Sequence, residues 1–353
     1  MTQLDPVALH RAHLDQRERS PMSRARDLAA QLGVPEAALL AACCGVTGEP
    51  IRAERLRMSD VPALLRQMPS LGQLKAITRN ETVVLEIEGA YGAVEFFGPM
   101  GQSVSSLDLR IFSSRWRHGF VVTEDTKRGE RTSLQFFDAH GDAVHKLYVL
   151  PATDRAALDR LRQEFRSDDP SAALDAEPRP AREPERADAD IDVPGLRAAW
   201  EAMRDTHEFF GLLRRFQVTR TQALRLVGTD LAQPVPVGSF ERLLHDVAAS
   251  GLPFMLFVGN PGIIQIHTGP VKRVVVMDEW LNVLDPEMNL HVRSNEVASA
   301  WLVRKPTADG IVTAVEFYDR DGEQVALFTG KRKPGTPEQT AWREQAERMT
   351  QNV

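Results

Sequence analysis

Arg79-Asn-Glu-Thr-Val-Val-Leu-Glu-Ile-Glu-Gly89 is answered 180 positions later by Gly259-Asn-Pro-Gly-Ile-Ile-Gln-Ile-His-Thr-Gly269. Each stretch has an asparagine in second place, runs through β-branched and apolar residues, and closes on a glycine. A second pair keeps nearly the same offset: Leu134-Gln-Phe-Phe-Asp-Ala-His-Gly-Asp142 and Val315-Glu-Phe-Tyr-Asp-Arg-Asp-Gly-Glu323 lie 181 positions apart. A spacing held across most of each half argues for duplication of one structural unit. Both halves should therefore share a fold.

Outward from the first stretch, apolar alternation and β-branched runs cover Val83 to Ile87, Ala93 to Phe97, Val104 to Phe112, Gly119 to Val122 and Leu134 to Tyr148. The turn residues Asp138-Ala-His-Gly-Asp142 make the last of these a hairpin, so the sheet reads as an antiparallel meander. A polar helical leader and a helical hairpin over Arg26 to Leu40 precede it, with Gly33 ending one helix and Pro35 opening the next. A helix near Arg155 to Phe165 follows. The expected class is α+β, a tandem structural repeat in which each half is an antiparallel β-sheet with flanking helices. The expected domains are an N-terminal repeat half at 1–167, a flexible linker at 168–191 and a C-terminal repeat half at 192–353. The linker assignment rests on Ser167 to Ile191, which is rich in Pro, Ala, Asp, Glu and Arg and offers almost nothing to bury.

Composition excludes several classes. With 353 residues, 42% hydrophobic and 26% charged, the chain is long enough for two cores and ordinary for a soluble protein. A net charge of −6 gives no general attraction to nucleic acid or an anionic membrane. There is no run of eighteen apolar residues and no signal peptide pattern, so a cytoplasmic protein without membrane insertion is expected. Cys43 and Cys44 are adjacent in an apolar run and read as core. The nine histidines show no pair at i, i+3 or i+4 within a clear helix, and no GxSxG, Walker or GxGxxG loop occurs.

The second half opens on Trp200 to Phe216, read as one helix with two apolar faces. Phe209, Leu212, Leu213 and Phe216 form the stripe that docks it on its own unit. Trp200, Met203, His207, Phe210 and Gly211 share a second side, a wall with open space against which something flat could lie. Aligning Val34 with Val218 puts Ser23 opposite His207, so the duplication supplied this histidine once. A lone axial histidine in an apolar wall is what a b-type haem needs, since the porphyrin brings four nitrogen ligands. Its propionates want cations at the rim, for which Arg220, Lys305 and Arg332 are candidates. Arg110 points from the face opposite Leu107, Leu109 and Ile111 and is usable for a cleft. Thr219-Arg-Thr-Gln222 and Thr336-Pro-Glu-Gln339 both read as capping boxes.

Asp205-Thr-His-Glu-Phe-Phe-Gly-Leu-Leu213, Thr219-Arg-Thr-Gln-Ala223, Gly259 to Val271, Leu107-Asp-Leu-Arg110, Trp301-Leu-Val-Arg-Lys305 and Gly330-Lys-Arg-Lys-Pro-Gly335 together resemble the hemin-degrading factor and haem-trafficking proteins of the HemS/ChuS/HmuS type. The resemblance spans nearly the whole chain. It implies haem b, as ligand or substrate, held between the halves for transfer or oxidative degradation, with the choice between carrier and enzyme left open. It implies His207 as the axial iron ligand, Arg110 as a distal and catalytic residue, Phe257 against the macrocycle, and Arg220, Lys305 and Arg332 at the propionates. Ser114-Arg-Trp-Arg-His118 departs from the histidine-tryptophan pattern of such proteins. The implied partners are an inner-membrane haem importer and a downstream haem oxygenase or electron donor, with no nucleic acid. The alternative is a helix-turn-helix DNA-binding regulator built on the hairpin at 26–40, although Pro35 to Cys44 offers no Arg, Lys, Asn or Gln to read bases.

Overall fold

The structure is a computed structural model, and it describes residues 5–21, 23–169, 171–332 and 335–351. The first half runs α1 (Pro6–Arg19), α2 (Ala25–Leu32), α3 (Glu36–Ala41), β1 (Ile51–Leu56), α4 (Val61–Arg66), β2 (Gly72–Arg79) and β3 (Val83–Ala90). It continues through β4 (Val94–Phe97), β5 (Met100–Ser103), β6 (Asp108–Phe112), β7 (His118–Thr126), β8 (Gly129–Phe137), β9 (Ala143–Thr153) and α5 (Arg155–Glu164). The second half repeats that order. It begins with α6 (Val193–Glu201), α7 (Glu208–Phe216), α8 (Arg220–Leu226), β10 (Ala232–Val235), α9 (Ser239–Ser250), β11 (Phe254–Asn260) and β12 (Ile263–Gly269). It ends with β13 (Val274–Met277), β14 (Trp280–Leu284), β15 (Met288–Arg293), β16 (Ser299–Thr307), β17 (Gly310–Tyr318), β18 (Gln324–Gly330) and α10 (Thr340–Glu347). The duplication expected from the spacing is therefore an element-by-element repeat, with strands β1, β2 and β5 added to those the alternation shows.

Among the described residues the strands fall into two nine-stranded sheets. In the first half the antiparallel order β1-β7-β8-β9-β2 is matched in the second by β10-β16-β17-β18-β11. The meander β4-β5-β6 is matched by β13-β14-β15. The chain forms two compact units. One takes the chain through Arg79, Glu86–Pro180 and Asn260–Gln265; the other takes Asn80–Leu85, Ala181–Gly259 and the chain from Ile266. The asparagines in second place of the repeated stretches explain the two short segments. Within the second unit, Asn80 Nδ2 donates to the Gly259 and Val325 carbonyls at 3.1 and 2.9 Å, while its Oδ1 accepts from Thr82 and Val83. Within the first, Asn260 Nδ2 donates to Arg79 and Val144 carbonyls at 2.9 Å each, and Oδ1 accepts from Gly262. Each side chain completes backbone groups that would otherwise lack partners.

The hairpin turns follow the sequence. Asp138 Oδ1 accepts the amides of His140 and Asp142, Asp319 Oδ1 accepts those of Asp321 and Glu323, and Gly141 and Gly322 supply the positive φ. Gly33 ends α2 in the left-handed region, as read.

Several readings are corrected. Trp200 to Phe216 is not one helix, because α6 ends at Glu201 and α7 starts at Glu208. Asp205 causes the break: its side chain takes the His207 amide at 2.8 Å, offering the backbone an alternative to helical bonding. The histidine therefore caps α7 instead of standing mid-helix. The second apolar face divides accordingly: Trp200 and Met203 sink into the core, while Phe210 is 66% exposed. His10 and His13 do lie at i and i+3 within α1, and both are buried. Thr336 caps nothing observed, since α10 begins at Thr340 and Glu338 instead accepts the Thr313 amide at 2.7 Å. Between Ser171 and Asp188 several contacts are made: Arg55 donates to the Ser171 and Ala173 carbonyls, Leu174 is buried, and Asp188 takes Gln222 and Arg225, which leaves the linker assignment as an expectation. The DNA-reading alternative fails on burial, because Glu36, Ala37, Leu39, Leu40 and Ala41 of α3 are all buried and no face remains to enter a groove.

Candidate functional site: an exposed histidine on a buried ionic base

The stretch Asp205-Thr-His207 sets the site. The Asp205 Oδ1 atom accepts both the His207 backbone amide and, at 2.6 Å, the imidazole Nδ1. The His207 amide, followed by the imidazole and the charge of Arg332, outweighs the opposing effect of burial and holds the Asp205 carboxyl below the usual range. A carboxylate there keeps the proton on Nδ1, so Nε2 carries the lone pair. The His207 side chain is 85% exposed, which leaves that lone pair to an incoming ligand.

On α7 the exposed side continues through Phe210 and Gly211, one turn on, and Arg214, two turns on. Arg214 lies over the Phe210 ring at 5.1 Å, and a Cβ at Gly211 would meet nothing within 4 Å. The opposite side of α7 carries Phe209, Leu212 and Leu213 into the core with Trp200, Val303 and Tyr318. The Trp200 ring meets Phe209 edge-on at 4.6 Å, and its Nε1 donates to the Arg304 carbonyl. The helix is thus fixed by the predicted stripe, and its outer side is a short apolar platform beside a free imidazole.

Beneath Phe209 lies an ionic cluster. Arg220, held at the start of α8 by the Thr219 cap on the Gln222 amide, sends Nε and Nη2 to the two oxygens of Glu316 at 2.9 and 2.8 Å. Lys305 Nζ reaches Glu316 Oε1 at 2.7 Å, and the Tyr318 hydroxyl also donates to this carboxylate. Both cations sit on the Phe209 ring, Arg220 at 5.0 Å and Lys305 at 4.4 Å. Burial works against charge on Glu316, yet Arg220 and Lys305 outweigh it and hold the carboxyl far below its usual range. Burial, with Arg220 assisting and Glu316 opposing, pulls Lys305 down to about 8.

The remaining candidates follow from register. Phe257 pairs with Leu327, Leu327 with Glu316, and Glu316 with Trp301, which makes one row across β11, β18, β17 and β16. Phe257 therefore shares the sheet face of Glu316. Arg332 follows β18 and acts on Asp205. In the second unit Arg220 and Lys305 meet on Glu316, but with different access. Lys305 has a 6% exposed side chain and is engaged by Glu316, whereas Arg220 retains 26%. Arg110, in the first unit, stands on β6 opposite Gln102 of β5, with Nη1 on Asp108 Oδ1 at 2.5 Å.

Glu316 is the residue that sequence reasoning missed. Its signal was a carboxylate inside the apolar strand Val315-Glu-Phe-Tyr318, where the first half has Gln135. The position answering Arg220 is Glu36, whose carboxylate takes Arg79 and Lys146. The same helix position is thus ion-paired in both halves, with its charge exchanged and its partners drawn from different strand positions.

The sequence profile described as the haemin-degrading HemS.ChuX domain matches residues 33–165 and again 217–349. The chain belongs to the HemS.ChuX family. The two matched stretches are offset as Val34 is from Val218, so the duplication is one of whole family domains. Neither stretch includes His207. The hemin transport protein HmuS of Yersinia pestis is 40% identical over 346 residues, 97% of either chain. A solved holo structure of PhuS, a heme-binding protein from Pseudomonas aeruginosa, superposes with a TM-score of 0.94 at 44% identity, covering 98% of this chain and 99% of PhuS. ChuS, an E. coli heme oxygenase, superposes with a TM-score of 0.85 at 37% identity, over 97% and 99%.

Proposed function

We propose that this protein binds haem b through the Nε2 atom of His207 and passes it on. The observation that carries the reading is an imidazole held by Asp205 through Nδ1 and open to solvent at Nε2, beside exposed Phe210 and an unfilled space at Gly211. These residues fit the group: an imidazole nitrogen for iron, an aromatic surface for a flat macrocycle, and no side chain at Gly211 to obstruct it. Bound haem would supply an iron centre able to exchange ligands and electrons. Asp205 fixes the tautomer and the ring orientation, which strengthens Nε2 as a donor. Arg220, with its exposed portion, and Arg332 are the cations assigned to the propionates, and Phe257 is assigned to the macrocycle. Lys305 is assigned to holding Glu316 and Phe209. Arg110 keeps its distal assignment.

The family and the hemin transport and heme-binding names of its relatives support this reading. Transfer is favoured over retention because one protein–iron bond from a surface histidine is easier to exchange than two. Under this reading the protein works in the cytoplasm, with an inner-membrane haem importer as donor and a haem oxygenase or an electron donor as partner. Hemin titration followed by absorption spectroscopy tests binding: a saturable Soret band at one equivalent is expected, and no optical change overturns it. Incubating the complex with a reductant under oxygen, catalase present, tests the division of labour. Intact haem supports transfer, and loss of the Soret band places oxidative degradation in this protein.

A further inference from the structure

The duplicated scaffold carries a second feature in one half only. In the first unit a cavity of about 450 Å3 is lined by Arg55, Arg117, His118, Asp169 and Asp175. Arg55 belongs to β1, and its Nη2 donates to the Ser171 and Ala173 carbonyls at 3.0 and 2.9 Å, which draws the segment after α5 across the cavity. Its Nε has no hydrogen-bond partner among the described residues, with Asp169 Oδ2 3.8 Å away. His118, the first residue of β7, is 8% exposed; one ring nitrogen is used on the Ala139 carbonyl, and Nε2 has no partner among the described residues.

A buried polar group left without a partner costs free energy, so two such nitrogens around one cavity indicate something that satisfies them. Their chemistry differs. Arg55 Nε is a donor on a permanent cation, and Arg117 brings a second guanidinium. Burial, and then the charges of Arg55 and Arg117, pull His118 down to about 4, against opposition from Asp175. The imidazole is therefore neutral at pH 7, and with its other nitrogen donating to a carbonyl, Nε2 is an acceptor. The complementary ligand is an anion with oxygens for the two arginines and one hydroxyl proton for the imidazole.

The second half shows that the scaffold does not require this arrangement. By the strand registers Arg55 is answered by Pro234, and Arg117 and His118 by Ala298 and Ser299. The backbone is kept, with the Arg117 and Ala298 amides each donating at 2.8 Å to the last residue of the neighbouring strand. We infer that the first unit carries a binding site for a hydroxyl-bearing oxyanion of the hydrogen phosphate class, formed by Arg55, Arg117 and His118.

Calorimetric titration of the full chain with inorganic phosphate and with sulfate tests this. Sulfate has the same shape and charge but no hydroxyl proton at neutral pH. The expected result is saturable one-site binding of phosphate, at least tenfold tighter than sulfate, and at least tenfold weakened in Arg117→Gln. Arg117 is exposed, so this variant should keep the circular dichroism spectrum and unfolding temperature of the parent. Absence of saturable phosphate binding, equal affinity for the two anions, or a folded Arg117→Gln that binds as the parent does would each overturn the inference.

Discussion

Replacing Glu316 with alanine removes a carboxylate that accepts from Arg220 twice, from Lys305, from Tyr318 and from Gln324. The loss is uneven across the cluster. Lys305, with a pKa of about 8, can shed its proton at pH 7 for about 1.4 kcal/mol per pH unit, so its share is bounded. Arg220 cannot, because guanidinium stays charged, and only a quarter of its side chain meets water. Breaking a buried pair by removing one partner costs about 3–5 kcal/mol. For units of this size that corresponds to a fall in unfolding temperature of about 6–20 °C in scanning calorimetry. Gln135→Ala is the internal control, because Gln135 answers Glu316 in the first half and its side-chain amide donates to the Ser133 hydroxyl, a single neutral hydrogen bond among the described residues, so its loss should be about 1 kcal/mol. If Glu316→Ala destabilises no more than Gln135→Ala, the ionic base is not what holds Phe209 and α7 in place.

Asp205→Ala should weaken hemin binding about 10–100-fold without lowering the unfolding temperature, since it loosens the His207 ring while removing no buried group; unchanged affinity in a hemin titration would refute the orienting role. Burial first of all depresses His13 and His118 to about 4 and His145 to about 3, so the unfolded chain binds protons that the folded first unit refuses. Stability should fall as pH drops through 6.5 and level off near 3–4, with Glu36, held at about 2 by Lys146 and Arg79 against burial, adding a loss below about 4.5; denaturant midpoints flat from pH 7 to 4 would contradict this. Asn80→Ala leaves the Gly259 and Val325 carbonyls without their side-chain donor and should cost about 1–3 kcal/mol, as should Asn260→Ala for Arg79 and Val144, each read by urea unfolding.

Short-range features were legible in the sequence for local reasons. The Asp138 and Asp319 turns, the Gly33 cap and the Phe209-Leu212-Leu213 stripe each depend on residues within one turn or one helix, and the duplication showed as a held spacing. The helix break at Ala202 to His207 was not legible, because a 3.6-residue pattern continues through it and the Asp205 side chain competes with it only locally. The Glu316 cluster joins positions 220, 305, 316 and 318, and the meeting of Cys43 with His10 and His13 at 3.5 and 3.8 Å joins segments about thirty residues apart. Register and helix docking make both, and neither leaves a spacing to read. His207 was singled out from its neighbours and its single occurrence in the repeat, although the wall first assigned to it is half core.

The most direct test of the account is rescue of the His207→Ala variant by free imidazole. The account predicts that this variant binds hemin with a displaced, weakened Soret band, and that added imidazole restores the band of the parent. A His207→Ala protein whose Soret band and hemin affinity equal those of the parent before imidazole is added would contradict the axial role of His207.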